Sequence, residues 1–379
     1  MASKVSQFPG FIEVRQAIDM EKAVSYLSSL KIEGFISEGA QVLQADGGMS
    51  NPTYLFFSST KPDGRKLILR KKPPGSLLPG AHQIEREYRV LSALQGSKVP
   101  VPTVHHMCED ESVLGRAFYV MDFVEGRVLE DEHLEGFPPE FRASLWGHMN
   151  EVLAELHSLD CTILRGLGKE GGYARRQLKT WGGQFRRGAA VLEKLTVQHE
   201  DLPAVIAHGP KMEQLIAQLE QVCDSMEDHT CIVHGDFRLG NVIVHPSLPR
   251  VVAVLDWELC TFGHPLSDLA YLMKALYLPT MSTATSGENS QSGGLPPGVP
   301  TESRFLDAYC SKRGVVRVSA REWSFWKAFT QFRTAAIIHG VYARGLQGNA
   351  GSSKASDRGK GFVYLTDVAL AELGRMSKL

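Results

Sequence analysis

No window of the sequence approaches the roughly 18 consecutive apolar residues of a membrane span, so nothing in it reads as a transmembrane segment. The amino terminus, "MASKVSQFPGFIEVRQAIDM", has no continuous apolar run of the kind a secretory signal needs. Six cysteines (Cys108, Cys161, Cys223, Cys231, Cys260, Cys310) are scattered with no CxxC pair and no histidine at metal-ligand spacing. That argues against a disulfide framework and a zinc site, and fits a reducing setting. Net charge is also nearly absent, at −1. The chain as a whole therefore has no pull toward nucleic acid or an anionic membrane, and any anion site must be local.

What is present is an ordinary globular composition, 43% hydrophobic and 22% charged, over 379 residues, long enough for two or three lobes. The sequence stops at "GRMSKL". A terminal Ser-Lys-Leu is a receptor-read peroxisomal address, so Ser377, Lys378 and Leu379 predict the peroxisome and its import receptor as partner, with the cytoplasm as the alternative.

Residues 11 to 30 carry Ile18, Val24 and Leu27 at positions that can share a helical face, which predicts a helix. From 35 to 72 the pattern changes to "AQVLQA", "PTYLFFSS" and "RKLILRKK", separated by turn residues, which reads as consecutive hairpins. "AHQIEREYRVLSAL" is a helix with Ile84, Leu91 and Leu94 facing inward, ended by "VPVP". "RAFYVMDFVEG" is a strand closing on Gly126, a hinge to a second lobe, and "SLWGHMNEVLAELHSLD" a helix with Leu145, Met149, Val152 and Leu156 on one face. Residues 279 to 300, rich in Ser, Thr, Gly and Pro, read as a disordered insertion. The expected organisation is an amino-terminal helical extension (1–34), a β-rich lobe with one helix (35–124) and a larger helical lobe (125–379).

Between two apolar runs lies "HGDFRLGN", a polar loop held by a scaffold, the kind of place where chemistry sits. Asp236 precedes Asn241 by five residues, and Asp256 follows the strand "VVAVL". Protein kinases space their catalytic Asp, metal-binding Asn and second metal-binding Asp in the same order. Phosphoryl transfer needs oxygen ligands for Mg²⁺ to neutralise the triphosphate of ATP, and a further carboxylate to orient or deprotonate the attacking hydroxyl. Upstream, "QADGGMSNPTYLF" is not G-x-G-x-x-G, but Gly47 and Gly48 allow a backbone to approach phosphates, with Ser50 and Asn51 as neutral donors; a plain Gly-Gly hairpin is the competing reading. "LILR" places Arg70 where the kinase template has its phosphate-binding lysine, and Glu87 in the next helix is its natural ion-pair partner. Strand alternation turns Lys71 to the opposite face.

"HGDFRLGN", "LDWE" and "GHPLSDLAYL" resemble the aminoglycoside-phosphotransferase and choline-kinase branch of the protein-kinase-like fold, over residues 35 to 350 or so. Within it, "GGMSNPTY", "FYVMDFVEGR" and "VLDWELCTFGHPLSDLA" look most like the kinase domain fused to acyl-CoA dehydrogenases in family members ten and eleven. The resemblance implies an α+β, two-lobe fold and an ATP-dependent, Mg²⁺-requiring kinase for the hydroxyl of a 4-hydroxyacyl-CoA in fatty-acid catabolism. It also implies a separate acyl-CoA dehydrogenase as partner, since this sequence has no length left for one. Carried onto these residues, Asp236 would be the base, His234 would brace its loop, and Asn241 and Asp256 would hold Mg²⁺. Met121, Asp122 and Val124 would line the adenine hinge, and Asp268 would orient the catalytic loop as a structural residue. Asp268 follows Asp256 by only twelve positions and no A-P-E follows, which leaves little room for a peptide-docking segment and favours a small-molecule acceptor.

For the acceptor, "LRGLGKEGGYARRQLKTWGGQFRR" carries seven basic residues against Glu170 alone. A local anion site for CoA phosphates and a solvated basic helix face are equally compatible with it; Arg176 and Trp181 are the expected contacts. Arg333 and His339, set in an apolar helical stretch, could also line the pocket. Two alternatives stand beside this function: a kinase for an amino alcohol or sugar, whose cationic acceptor calls for an acidic pocket, and a catalytically silent pseudokinase scaffold.

Overall fold

The computed structural model describes residues 7–46, 51–73, 83–195, 199–278, 295–348 and 358–376. Gly47, Gly48 and Ser50, most of the Ser- and Gly-rich insertion, and Ser377 to Leu379 lie outside the described residues. In chain order the elements are β1 (Phe11–Ile12), α1 (Met20–Ser29), β2 (Ala40–Ala45), β3 (Thr53–Ser58), β4 (Leu67–Lys71), α2 (Ile84–Leu94), β5 (Val104–Cys108), α3 (Glu111–Leu114) and β6 (Phe118–Asp122). Then come α4 (Pro139–Ser158), α5 (Tyr173–Leu192), α6 (Leu202–Ala207), α7 (Gly209–Cys223), β7 (Cys231–Val233), β8 (Val242–Val244), β9 (Val251–Val254) and β10 (Thr261–Gly263). The chain closes with α8 (Pro265–Leu272), α9 (Lys274–Tyr277), α10 (Glu302–Arg313), α11 (Ala320–Leu346) and α12 (Gly359–Met376). No helix among the described residues is long and apolar enough to cross a membrane.

Two compact units emerge, each assembled from separate stretches of chain. One comprises Met1–Leu134, Thr162–Leu167 and Leu239–Cys260; the other comprises Glu135–Cys161, Gly168–Arg238 and Thr261–Leu379.

The first unit is built on a six-stranded antiparallel sheet in the order β1-β2-β3-β4-β6-β5. Alternation along β4 explains its two faces. Leu67 and Leu69 are buried with Tyr54, Phe56, Phe118 and Val120 against Ala23 and Leu27 of α1. Arg70, of the other parity, meets Glu87 of α2 instead. The helix expected over 11–30 is shorter. Phe11 and Ile12 pair with Ala45 and Gln44 as an edge strand, and Asp19 starts α1 by accepting from the N–H of Lys22 at 3.1 Å, a side-chain N-cap. β5, with the sequence VHHMC, carried no strand signal because its histidines break the apolar alternation; His105 is held at 2.8 Å by Asp122 of neighbouring β6. Gly126, expected as a hinge, is a site of close approach. A Cβ there would lie 2.3 Å from Ile243 Cγ2 and 2.5 Å from the Val244 carbonyl oxygen.

The second unit is helical. Four helices pack on the long α11: α5, α7, α8 and α12, the last contributing Phe362 and Leu373 to the core. Ser319 caps α11 through the N–H of Glu322. Residues 295–300, at the end of the insertion, form a turn: the Val299 N–H donates to the Pro296 carbonyl at 3.0 Å, and the Arg142 guanidinium donates to that of Pro297 at 3.0 Å.

Candidate active site

The strands flanking the polar octet do not pair with each other. β7 pairs with β10 (Ile232 opposite Phe262) and β8 with β9 (Val242 opposite Val254). Each end of the octet is thus anchored in its own two-stranded sheet.

In the helical unit, the loop after β7 is gripped at the backbone. The Asp268 carboxylate, on α8, accepts from the N–H groups of His234 at 2.7 Å and Gly235 at 2.9 Å, and from Nε2 of His157 at 3.3 Å. Burial works to raise the Asp268 pKa, yet those hydrogen bonds and the neighbouring imidazoles prevail and hold it below the ordinary carboxylate value. His157, buried beside it, is pushed down by desolvation and accepts at Nδ1 from the Tyr309 hydroxyl at 2.8 Å. His234 is fully buried, and its Nδ1 accepts from the Asp236 N–H at 3.2 Å, which turns the chain back on itself at the base. Gly235 sits at φ +85°, a left-handed conformation that glycine adopts without strain, so an arginine there would be penalised. Its carbonyl accepts from Arg333 at 2.6 Å.

The side chain of Asp236 lies 4.0 Å from the Arg238 guanidinium. Arg333 is buried with its guanidinium 5.6 Å from the Trp181 ring centre and 5.4 Å from that of Tyr271. The expected acceptor contacts Arg333 and Trp181 are therefore brought together, with Arg333 on the Asp236 loop. His339, two turns further along α11, is not with them. Its ring packs 4.8 Å from both Phe185 and Phe362, where burial lowers its pKa to about 4.

The basic run resolves largely into local pairs. Arg175 pairs with Asp224 and Arg186 with Glu213. Arg176 donates to the carbonyls of Lys169 at 2.8 Å and Phe262 at 3.4 Å, which ties a loop to β10. For these three arginines the partners belong to the protein, and the solvated-face reading gains over a dedicated anion site.

In the sheet unit, Arg70 forms an ion pair with Glu87 at 2.9 Å and stands 3.7 Å from a carboxylate oxygen of Asp256. Burial raises the Glu87 pKa, with the Arg70 charge opposing that rise. On Arg70 burial acts the other way, and the Glu87 carboxylate more than offsets it, so the guanidinium stays charged. Tyr119 is cross-strand from Arg70, and its hydroxyl is buried without a hydrogen-bond partner among the described residues. Asn241 and Asp256 become neighbours through the β8–β9 pairing, because the Leu255 N–H donates to the Asn241 carbonyl at 2.8 Å. Asp256 has φ +63°, one of only three non-glycine residues with positive φ among the described residues. Such strain, of about 1 kcal/mol or more, is typically retained where a side chain must be aimed.

Asn51 is buried, and its Oδ1 accepts no hydrogen bond among the described residues. At the expected adenine hinge, Met121 is buried, the Asp122 carboxylate is held by Arg65 at 3.2 Å and His105 at 2.8 Å, and Val124 is half-buried. Among the described residues, no three His, Cys, Asp or Glu side chains gather as a metal cage. The Asn241 amide and Asp256 carboxylate are hard oxygen donors of the kind Mg²⁺ takes one or two of from protein, completing its shell with water and phosphate.

Two residues at the Asp236 loop were missed from sequence: Tyr271, whose ring lies 5.4 Å from the Arg333 guanidinium, and Arg238, 4.0 Å from Asp236. Tyr271 had an available signal, since it lies three residues after Asp268 on the same helix and so shares its face.

The sequence model described as the phosphotransferase enzyme family matches residues 41–293. Mouse acyl-CoA dehydrogenase family member 10 is 41% identical over 347 residues, covering 91% of this chain and 30% of that protein. The chain thus spans less than a third of that relative. Among solved structures, a Ralstonia eutropha JMP134 protein provisionally described as an aminoglycoside phosphotransferase is 34% identical with a TM-score of 0.76, covering 95% of this chain and 99% of the other. A spectinomycin phosphotransferase in complex with ADP and spectinomycin, 12% identical, superimposes with a TM-score of 0.58 over 95% of this chain and 99% of its own.

Proposed function

The chain belongs to the phosphotransferase enzyme family, and from that premise we propose that it transfers the γ-phosphoryl group of ATP to the hydroxyl of an acyl-CoA, a 4-hydroxyacyl-CoA in particular. The fold is the protein-kinase-like one, with an antiparallel sheet lobe and a helical carboxyl-terminal part, and the activity is that of a phosphotransferase acting on hydroxyl groups. The observation that carries the finer reading is the Asp236 loop: Arg238 lies 4.0 Å from the Asp236 carboxylate, and Arg333, with its guanidinium near the Trp181 and Tyr271 rings, holds the Gly235 carbonyl. A cationic aminoglycoside or amino alcohol would be repelled there, whereas a thioester carbonyl or a CoA phosphate would be attracted. The acyl-CoA dehydrogenase name borne by the mouse relative points to the same class of molecule.

In this reading Asp236 accepts the proton of the acceptor hydroxyl as its oxygen bonds to the γ-phosphorus, and the bond from that phosphorus to the β,γ-bridging oxygen breaks to release ADP. Arg70, kept charged and oriented by Glu87, presents a planar fork to phosphate oxygens. Mg²⁺, held by Asn241 and Asp256, would supply charge neutralisation on the triphosphate. ADP in the spectinomycin phosphotransferase complex supports an adenine nucleotide as co-substrate.

The test is nucleotide consumption with a panel of 4-hydroxyacyl-CoAs, choline and aminoglycosides, run beside Asp236→Ala. Transfer to the acyl-CoAs alone is expected, with kcat reduced by about 10³-fold in the variant. Turnover only with the cationic acceptors would sink the acyl-CoA reading, and full activity in Asp236→Ala would sink the assignment of the base.

A further inference from the structure

Helix α2 carries Arg86, Glu87 and Arg89, and the scheme above gives a role to Glu87 alone. Glu87 pairs with Arg70 at 2.9 Å, and Arg70 stands 3.7 Å from Asp256. The half-buried Arg86 reaches a different partner, 174 residues away in sequence: its guanidinium donates to the backbone carbonyl of Cys260 at 2.6 Å. One turn further along the same face, Arg89 donates to the Arg165 carbonyl at 2.7 Å. The two segments that return to the sheet unit, 162–167 and 239–260, are thus each tied to α2 by an arginine.

Cys260 ends the turn that Asp256 begins. Asp256 takes φ +63°, Trp257–Leu259 form a single 3-10 turn packed on α2, and the Cys260 N–H closes it on the Trp257 carbonyl at 3.1 Å. Upstream, the Leu255 N–H donates to the Asn241 carbonyl at 2.8 Å, and the indole of buried Trp257 donates to the Val254 carbonyl at 3.0 Å. The Asp256 side chain is 40% exposed, so its direction is set by the backbone more than by packing. A left-handed conformation at a residue other than glycine persists only where its surroundings over-determine it. A charged donor on the Cys260 carbonyl supplies that constraint from the downstream side.

We propose that Arg86 is a positioning residue for the Asp256 carboxylate: by holding the Cys260 carbonyl it fixes the turn that aims Asp256 at Mg²⁺ and keeps that turn beside Arg70. Adjacent residues of one helix then hold both charges that meet the triphosphate. Glu87 directs the Arg70 guanidinium, and Arg86 directs the metal-binding turn. Groups one step removed from a metal set the direction of its ligands in this way. A guanidinium suits the task because it stays protonated and donates to a carbonyl whatever the working pH.

The inference rests on Asp256 being a metal ligand of the proposed kinase, so Asp256→Asn is measured beside the Arg86 variants. ADP affinity is determined by calorimetric titration with Mg²⁺ and again with EDTA, and the ratio of the two is the metal's contribution. Arg86→Met keeps the aliphatic stem and a good helix former while removing the guanidinium. Its ratio is expected to fall about tenfold, at the low end for loss of an outer partner of a metal ligand, with metal-free affinity held within about twofold. Arg86→Lys should recover part of the ratio, since an ammonium can still donate to the Cys260 carbonyl. Arg89→Met, on the same helix face, should leave the ratio as in wild type. A general loosening of α2 would instead lower both affinities in both variants. An unchanged ratio in Arg86→Met, or an equal fall in Arg89→Met, overturns the proposal. If Mg²⁺ adds nothing in wild type, or Asp256→Asn leaves the ratio unchanged, the metal assignment fails and takes this inference with it. A fall in Asp256→Asn with none in Arg86→Met overturns this inference alone.

Discussion

Asp268 accepts from two consecutive backbone N–H groups and from His157, in a place where burial leaves no water to substitute. Asp268→Ala would orphan all three donors, and a loss of about 3 kcal/mol is expected, read as a lower midpoint in urea unfolding. The pH dependence follows from the direction of the shift. The folded-state pKa lies below the ordinary value of 3.8. Its stabilising contribution is therefore fully present above the unfolded-state pKa and is lost as pH falls from there through the lower native value. Wild type should lose stability over that acidic window, and Asp268→Asn should show a flatter profile there. Asp268 was expected as the loop's orienting residue from the family resemblance that "GHPLSDLAYL" carries. Its partner His157 was not, because 111 residues separate the two.

At the level of elements, the octet's flanking apolar runs were readable as strands because each carries consecutive buried residues between turn signals. Which strand each would join was not readable, since three-residue strands carry too little pattern to choose a partner. β8 depends on a close approach from another stretch. Gly126 lies against Ile243 and Val244, and Arg127 exchanges backbone hydrogen bonds with Val244 at 2.7 and 2.8 Å. Gly126→Ala would force backbone to move, because one clash is with a carbonyl oxygen. A destabilisation of about 2 kcal/mol is expected by thermal or urea unfolding. Since Asn241 directly precedes β8, weaker Mg²⁺-nucleotide binding should accompany it, measurable by calorimetric titration. The basic run in α5 teaches the converse: seven cations in sequence looked like one feature, but Asp224 and Glu213, brought by the end and start of the neighbouring helix α7, claim two of them.

For the whole molecule, the residues assigned to nucleotide and metal (Arg70, Glu87, Asn241, Asp256) all belong to the sheet unit, and the base with its supports belongs to the helical one. A ligand stabilises the elements it binds. Saturating Mg²⁺ and a non-hydrolysable ATP analogue should therefore slow amide exchange most in β4, β8 and β9. Protection confined to α8 and α11 would contradict the assignment. The division also explains why sequence boundaries drawn as single cuts differ from these units: residues 162–167 and 239–260 return to the sheet unit after the chain has left it. Contiguous sequence patterns do not report such returns, which are decided by where distant segments find partners.

The sequence by itself determined the spacing of the candidate residues. The five-residue step from Asp236 to Asn241, the strand leading to Asp256 and the alternation that sets Arg70 apart from Lys71 are local, and local spacing follows from the fixed geometry of strands and turns. Only the tertiary structure decided the partners: Arg333 for the Gly235 carbonyl, Trp181 and Tyr271 for the Arg333 guanidinium, an aromatic cluster rather than the Asp236 loop for His339. A buried polar group must take whichever partner packing brings within hydrogen-bonding reach, and that partner can lie a hundred residues or so away, beyond anything a local pattern can specify.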